Sequence, residues 1–139
     1  MRKISFSGIN IQLNAIKEEL KPSIFKTIES GKYILGPEVE RLENKLSNFC
    51  KSKFTITCAN GTDAITLALM ALDFKPNDYI ITSGFGFVST VESPTQLGVK
   101  PIFIDINYNN FSINVEELKN TIAKAKRNNV SIKGLITAD

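Results

Sequence analysis

The sequence has no histidine, no tryptophan and only two cysteines among its 139 residues. Without histidine the chain has no imidazole base, no Ser-His-Asp triad of its own and no histidine-rich metal site. Cys50 and Cys58 do not have a CxxC spacing, and two cysteines cannot complete a cysteine-only zinc site. We therefore predict no metal site and expect both cysteines to be free thiols in the cytoplasm.

Long apolar runs and a strong charge of one sign are also missing. No uninterrupted apolar stretch approaches the roughly 20 residues that a membrane helix needs. The N-terminal segment 1–5, which carries Arg2 and Lys3, leads to polar residues and not to an apolar signal core. The net charge is only +3, and the densest basic group, at 124–127, is typical of a solvated helix face. We predict neither a membrane nor a nucleic-acid partner.

The residues that are present indicate an ordinary folded chain. Hydrophobic residues make up 42% and charged residues 22%, which argues against disorder. Apolar residues at helical spacing over 13–28 predict a first helix that is kinked or restarted at Pro22 and ends at Ser30-Gly31. Pro37 predicts the start of a second helix.

From residue 54 onward the predicted elements alternate. We predict strands at 54–58, 79–82, 101–106 and 132–138, a buried helix at 64–72, a helix at 87–97, and a helix that begins after a capping box at 114–117. Apolar strands separated by helices indicate an α/β fold with a mainly parallel sheet covered by helices on both faces. The predicted domains are a helical segment over 1–53 and an α/β unit over 54–139. The last strand ends the chain at the sheet edge where ligands bind in such folds, so we interpret the α/β unit as truncated.

The strongest local signal is the turn at 58–64 between a predicted strand and an apolar helix. Gly61 allows the backbone to turn tightly and approach a ligand. Thr62 and Asp63 lie where the N–H groups of a helix N-terminus are unpaired and favour an anion such as a phosphate. The alternative is an ordinary N-cap, in which Thr62 or Asp63 binds its own backbone. The motif is neither a P-loop nor GxGxxG, so spacing leaves both open.

Three further segments are weaker candidates. Phe85 and Phe87 follow the second strand, where aromatic rings could form a platform for a flat ligand or belong to the core. We favour a core position for Phe85 and leave Phe87 open. Asp105, at the end of the third strand, could meet a ligand or cap a turn. The loop at 30–40 indicates only a turn.

Four segments together resemble a known family. They are SGKYILGPEVERLENKL, ANGTDAITLALMAL, GFVST and PIFIDI, in the order and spacing of the amino-terminal part of the DegT/DnrJ/StrS sugar aminotransferases. These are fold type I, aspartate-aminotransferase-like enzymes that use pyridoxal 5′-phosphate (PLP). The resemblance covers the chain from about residue 5 to residue 139. It implies the N-terminal portion of the PLP-binding large domain, preceded by two helices.

The resemblance also implies site residues. The backbone amides of Gly61, Thr62 and Asp63 would hold the PLP phosphate, and Phe87 would stack on the cofactor ring. The loop that contains Tyr33 and Gly36 would lie near the active site or at the dimer interface.

Two departures and one gap stand against the family pattern. The family more often has proline at the place of Ser83 and threonine at the place of Gly86. The lysine that binds PLP and the aspartate that pairs with the pyridine nitrogen lie further along in the family. Asp139 falls one strand too early to be that aspartate, so we predict no catalytic residue in this chain.

The implied function is amino transfer to a nucleotide-linked keto-sugar, with glutamate as the amino donor, in amino-sugar biosynthesis for cell-surface polysaccharide or related glycans. The full-length enzyme would be a homodimer, and the chain alone would be inactive. One alternative is a dehydratase of the same family, in which a histidine replaces the lysine. Another is a non-catalytic remnant or interaction module whose sheet edge is covered by a partner.

Overall fold

The chain divides into two compact units, Met1–Thr57 and Cys58–Asp139, of which the computed structural model describes residues 6–138. Asp139, which we rejected as a pyridine partner, lies outside the described residues. No helix within residues 6–138 combines the length and apolar character needed to cross a membrane. The same range holds no group of three or more Cys, Asp or Glu side chains that could bind a metal ion.

The first unit contains two helices, α1 at Ile9–Ser30 and α2 at Pro37–Cys50. α1 continues through Pro22 as one helix and does not restart there. It ends as predicted, because Gly31 adopts the left-handed conformation (φ 64°) and donates its N–H to the Ile28 carbonyl. Pro37 is the first residue of α2, where its missing N–H breaks no helical hydrogen bond.

The predicted strand at 54–58 is wrong, since this segment has no regular structure. A strand exists only where a neighbour pairs with its backbone, and no residue among 6–138 does so here. Side chains of α2 bind the segment instead. The N–H and Oγ1 of Thr57 both donate to Oε1 of Glu43, at 2.8 and 2.9 Å. Ser47 donates to Oγ1 of Thr55 at 2.9 Å.

These hydrogen bonds make stability depend on the charge of Glu43. The bonds from Thr57 favour the carboxylate and hold the pKa of Glu43 below its usual value of 4.5. Because the folded-state pKa is the lower one, the stabilisation is present above pH 4.5 and is lost as the pH falls through the folded-state pKa. We expect Glu43→Gln to lower stability near neutral pH and to flatten its acid dependence. Urea unfolding of this variant and of Glu40→Gln, a control on the same helix, tests this. Equal acid dependence in wild type and Glu43→Gln would contradict it.

The second unit is an α/β structure built on a parallel sheet. Its elements are α3 (Gly61–Ala71), β1 (Tyr79–Ser83), α4 (Ser89–Gln96), β2 (Lys100–Ile104), α5 (Val115–Arg127) and β3 (Ile132–Ile136). The strand order is β2-β1-β3, and β1 pairs in parallel with both neighbours. The predicted α/β class and parallel sheet are confirmed. β2 ends before its predicted residue 106, because Ile106 forms an antiparallel bridge with Ile113. β3 ends at Ile136, two residues before its predicted end.

The core of this unit lies around the central strand. Ile80, Ile81 and Thr82 of β1 are each 1% exposed. Leu69 of α3, Phe74, Ile80 and Val99 form the buried hydrophobic cluster. Leu69 is the only buried residue of α3, so the prediction of a wholly buried helix is wrong. The helix packs through one face, and apolar side chains on its remaining surface are exposed, among them Leu67, Met70 and the adjoining Leu72.

Gly134 allows β3 to lie close to the core. A Cβ atom at this position would be 2.9 Å from Cζ of Phe74 and 3.7 Å from Cδ1 of Ile80. We expect Gly134→Ala to destabilise the chain by about 1–3 kcal/mol through overpacking, and Phe74→Leu to recover part of that loss in the double variant. A double-mutant cycle of unfolding free energies measures the coupling. Strictly additive effects would show that the two residues do not crowd each other.

Candidate functional site

The first turn of α3 is capped by Asn60. Its Oδ1 accepts the N–H of Asp63 at 2.9 Å, and its Nδ2 donates to Oδ2 of Asp63 at 3.2 Å. The N-cap alternative had assigned the capping side chain to Thr62 or Asp63, and that assignment is wrong. An N-cap side chain reaches the N–H two or three residues ahead, which Asn60 does and residues already inside the helix do not.

This cap leaves two backbone donors at the start of the helix. The N–H of Asp63 is used by Asn60, whereas those of Gly61 and Thr62 have no acceptor among residues 6–138. The space beside Gly61 is open, since a Cβ there would meet no atom within 4 Å. Two unpaired donors at the positive end of a helix dipole fit an anion of the size of a phosphate.

The turn is held in place by α4. Ser93 of α4 is fully buried and donates its hydroxyl to the Thr62 carbonyl at 3.0 Å. The same carbonyl accepts the hydroxyl of Thr66 at 3.1 Å. The position of the two free N–H groups is therefore fixed by contacts from two helices. Sequence reasoning missed Ser93, because it lies 31 residues from Thr62 and no local pattern marks it.

The aromatic residues after β1 are both exposed. Phe87 is 74% exposed and lies just before α4, where its carbonyl accepts the N–H and the hydroxyl of Thr90. Phe85 is 60% exposed and stacks on Phe111 with ring centroids 5.5 Å apart. The core position predicted for Phe85 is therefore wrong, because its ring packs against an exposed loop beyond the sheet edge and not beneath the sheet. The core alternative for Phe87 is excluded as well.

A groove of about 320 Å³ lies beyond the carboxyl ends of the strands. Its lining residues follow β1, β2 and β3, and they are Phe85, Gly86, Asn110, Phe111, Ser112 and Ala138. Asp105 serves the turn after β2. Its carboxylate accepts the N–H of Ile106 at 2.8 Å, and its own N–H donates to Glu117 at 2.7 Å. The structure thus gives Asp105 the turn-capping role.

Tyr33 and Gly36 belong to the first unit. They line a groove of about 500 Å³ in the loop between α1 and α2. Tyr33 donates its hydroxyl to the Ile28 carbonyl at 2.7 Å, which ties the loop to the end of α1. Gly36 is buried, and a Cβ there would overlap the Lys32 carbonyl oxygen. The loop conformation therefore requires glycine at this position.

Comparison with known proteins gives consistent matches. The sequence model of the DegT/DnrJ/EryC1/StrS aminotransferase family matches residues 14–136. The chain is 40% identical over 119 residues to a UDP-2-acetamido-2-deoxy-3-oxo-D-glucuronate aminotransferase of Pseudomonas aeruginosa, an alignment that covers 86% of this chain and 33% of that protein.

Solved structures agree in fold. A DegT DnrJ EryC1 StrS aminotransferase from Brucella abortus superposes with a TM-score of 0.92 at 33% identity, covering 97% of this chain and 36% of that one. NtdA from Bacillus subtilis, solved with bound cofactor PMP, superposes with a TM-score of 0.75 at 25% identity. The match covers 86% of this chain and 33% of that one. The chain thus spans about one third of the length of the proteins it matches.

Proposed function

This chain belongs to the DegT/DnrJ/EryC1/StrS aminotransferase family, and on that premise we propose that it forms the cofactor-phosphate part of a PLP-dependent sugar aminotransferase. The acceptor is a nucleotide-linked keto-sugar, and the amino donor is glutamate. The activity serves amino-sugar biosynthesis for cell-surface polysaccharide or related glycans. The matched family and the Pseudomonas relative are both aminotransferases, so we propose amino transfer and not dehydration.

The observation that carries this proposal is the pair of backbone donors at the start of α3. Gly61 and Thr62 present N–H groups that have no acceptor within the described range 6–138. They lie in a turn that Ser93 and Thr66 hold through the Thr62 carbonyl. Such donors need no reorganisation when an anion arrives, because the helix has already oriented them. We propose that they bind the PLP phosphate.

The role of Asp63 follows from its hydrogen bonds. The resemblance had also assigned its amide to the phosphate, but that N–H donates to Asn60. We therefore propose that Asp63 helps to order the turn. The Asp63 carboxylate accepts a hydrogen bond from Nδ2 of Asn60. This bond orients the positive end of the Asn60 amide dipole toward the carboxylate and offsets part of the negative charge of Asp63 beside the anion.

The exposed ring of Phe87 suits a contact with the cofactor. Phe87 presents an exposed ring just before α4, and we propose that its face stacks on the cofactor ring and excludes water from that side. PLP, when bound, supplies the electron sink that amino transfer requires. The chain's own contribution is to bind the phosphate and orient the ring.

We further propose a homodimer in the cytoplasm. The apolar residues of α1 are exposed along the whole helix (Leu13, Ile16, Leu20, Ile24 and Ile28), as are Ile34 and Leu35 in the loop that carries Tyr33 and Gly36. An exposed apolar surface along a helix and the loop after it is typical of an interaction site, and we assign to it the loop that carries Tyr33 and Gly36. Both cysteines are exposed free thiols, which suits a reducing compartment.

The chain by itself should bind cofactor without turnover. None of its lysines lies in the family's lysine motif, so amino transfer needs residues that this sequence does not supply. We expect no amino-sugar when the purified chain is incubated with PLP, glutamate and a UDP-linked 3-keto-sugar, as measured by mass spectrometry of the sugar nucleotide. A full-length family member is the positive control, and sustained product formation by the chain would contradict the proposal.

A further inference from the structure

The cap of α3 contains the only Asn-Gly pair in the sequence, Asn60-Gly61. In such a pair the backbone nitrogen of the glycine can attack the side-chain amide carbon of the asparagine, and glycine has no side chain to obstruct the approach. Both residues are exposed. A Cβ at Gly61 would meet no atom within 4 Å, so the described structure leaves open space beside the attacking residue.

We propose that Asn60 is a site of spontaneous deamidation and that a phosphate group bound at the turn protects it. The Gly61 nitrogen loses its proton to solvent base and bonds to Cγ of Asn60. Nδ2 takes up a proton from solvent, the Cγ–Nδ2 bond breaks and ammonia leaves, which gives a five-membered succinimide. Water then opens the ring at one of its two carbonyl carbons, leaving aspartate or isoaspartate at position 60.

The hydrogen bonds of the cap determine when this reaction can start. Asn60 is extended, with φ −164° and ψ 176°, and both ends of its amide are bound to Asp63. Ring closure requires rotation about the Cα–C bond of Asn60 and the loss of those two bonds. The reaction therefore proceeds from an opened first turn, and anything that keeps the turn closed slows it.

A bound phosphate would hold the Gly61 nitrogen, which is the attacking atom. This part of the inference rests on the proposed function. The Gly61 nitrogen that would attack Asn60 is one of the two donors assigned to the phosphate. A nitrogen whose hydrogen is bound to a phosphate oxygen is not available, so the rate falls with the fraction of free sites. At a ligand concentration ten times its dissociation constant we expect deamidation about tenfold slower.

Deamidation would in turn damage the site. Either product adds a negative charge next to the Asp63 carboxylate and removes the Nδ2 donor that now binds it. Isoaspartate also inserts a methylene into the backbone between the cap and the helix. Asn60→Asp imitates the first product, and because aspartate caps helices as well as asparagine does, it should keep α3 folded but bind phosphate more weakly than the neutral cap variant Asn60→Ser.

The experiment follows deamidation of the full chain by peptide mass spectrometry at mildly alkaline pH, with and without inorganic phosphate. A synthetic peptide spanning the turn corrects for catalysis by phosphate itself. We expect Asn60 to react faster than every other asparagine of the chain, phosphate to slow it in the chain but not in the peptide, and Gly61→Pro to abolish it because proline has no N–H to lose.

The outcomes separate the two proposals. If Asn60 reacts no faster than the other asparagines, the deamidation site is refuted and the phosphate site is unaffected. If Asn60 reacts fastest but phosphate gives no more protection in the chain than in the peptide, the protective coupling is wrong. Whether the Gly61 N–H binds phosphate is then decided separately, by the phosphate affinities of Gly61→Pro and Gly61→Ala.

Discussion

Replacing Gly61 by proline should lower the affinity of the chain for PLP and for inorganic phosphate by about tenfold or more, the value of one hydrogen bond to a charged group. Gly61 is the first residue of α3, where a helix makes no use of the N–H and tolerates proline. The preceding Asn60 is extended, which is the conformation that a following proline requires. The variant therefore removes one proposed phosphate donor with little disturbance of the helix.

The matched control is Gly61→Ala. It keeps the N–H, and its Cβ would meet no atom of the described structure within 4 Å, so it should bind phosphate more tightly than the proline variant. Circular dichroism shows whether both variants keep their helices, and calorimetry gives the affinities. Equal phosphate affinity of the two variants would show that the Gly61 N–H is not a phosphate donor.

Gly36→Ala should produce the largest loss of stability, about 3 kcal/mol, at the upper end of the usual cost of overpacking. The added Cβ would overlap the carbonyl oxygen of Lys32. Because that atom belongs to the backbone, no side-chain rotation relieves the overlap, and the loop before α2 must move. Urea unfolding followed by circular dichroism measures the loss.

Gly8→Ala is the control for this substitution. Gly8 and Gly36 are both N-cap residues with ordinary negative φ, −77° and −80°, but a Cβ at Gly8 would meet nothing within 4 Å. Gly8→Ala should lower the free energy of unfolding by less than about 1 kcal/mol, the range for exchanging a weak cap. If the two variants were equally stable, the loop conformation at Gly36 would not be the one described.

Local sequence patterns predicted the ends of several helices because caps depend on neighbouring residues. Gly31, Pro37 and Asn114 each end or begin a helix where the sequence placed the boundary. Of the capping box predicted at 114–117, only the contacts made by the Asn114 side chain are present. Asn114 accepts the N–H groups of Glu116 and Glu117, but the Glu117 carboxylate binds the N–H of Asp105, twelve residues away, and not that of Asn114.

Features that depend on distant residues were not predictable in this way. The segment 54–58 has strand-like composition, yet its polar groups bind Glu43 and Ser47 of α2. The turn at 58–64 is a helix N-terminus as predicted, but the capping residue is Asn60, two or three residues before Thr62 and Asp63, which the N-cap alternative named. The contact from Ser93 that fixes the turn joins residues far apart in the chain, so only the fold reveals it.

The central claim is that Gly61 and Thr62 donate to the phosphate of PLP, and a titration followed by amide NMR tests it most directly. We expect the Gly61 and Thr62 N–H signals to shift with added PLP and with inorganic phosphate, and to remain unchanged with pyridoxal, which lacks the phosphate. The Asp63 N–H, already bound to Asn60, should shift less. Phosphate-dependent shifts centred elsewhere, or equal shifts with pyridoxal, would contradict the account.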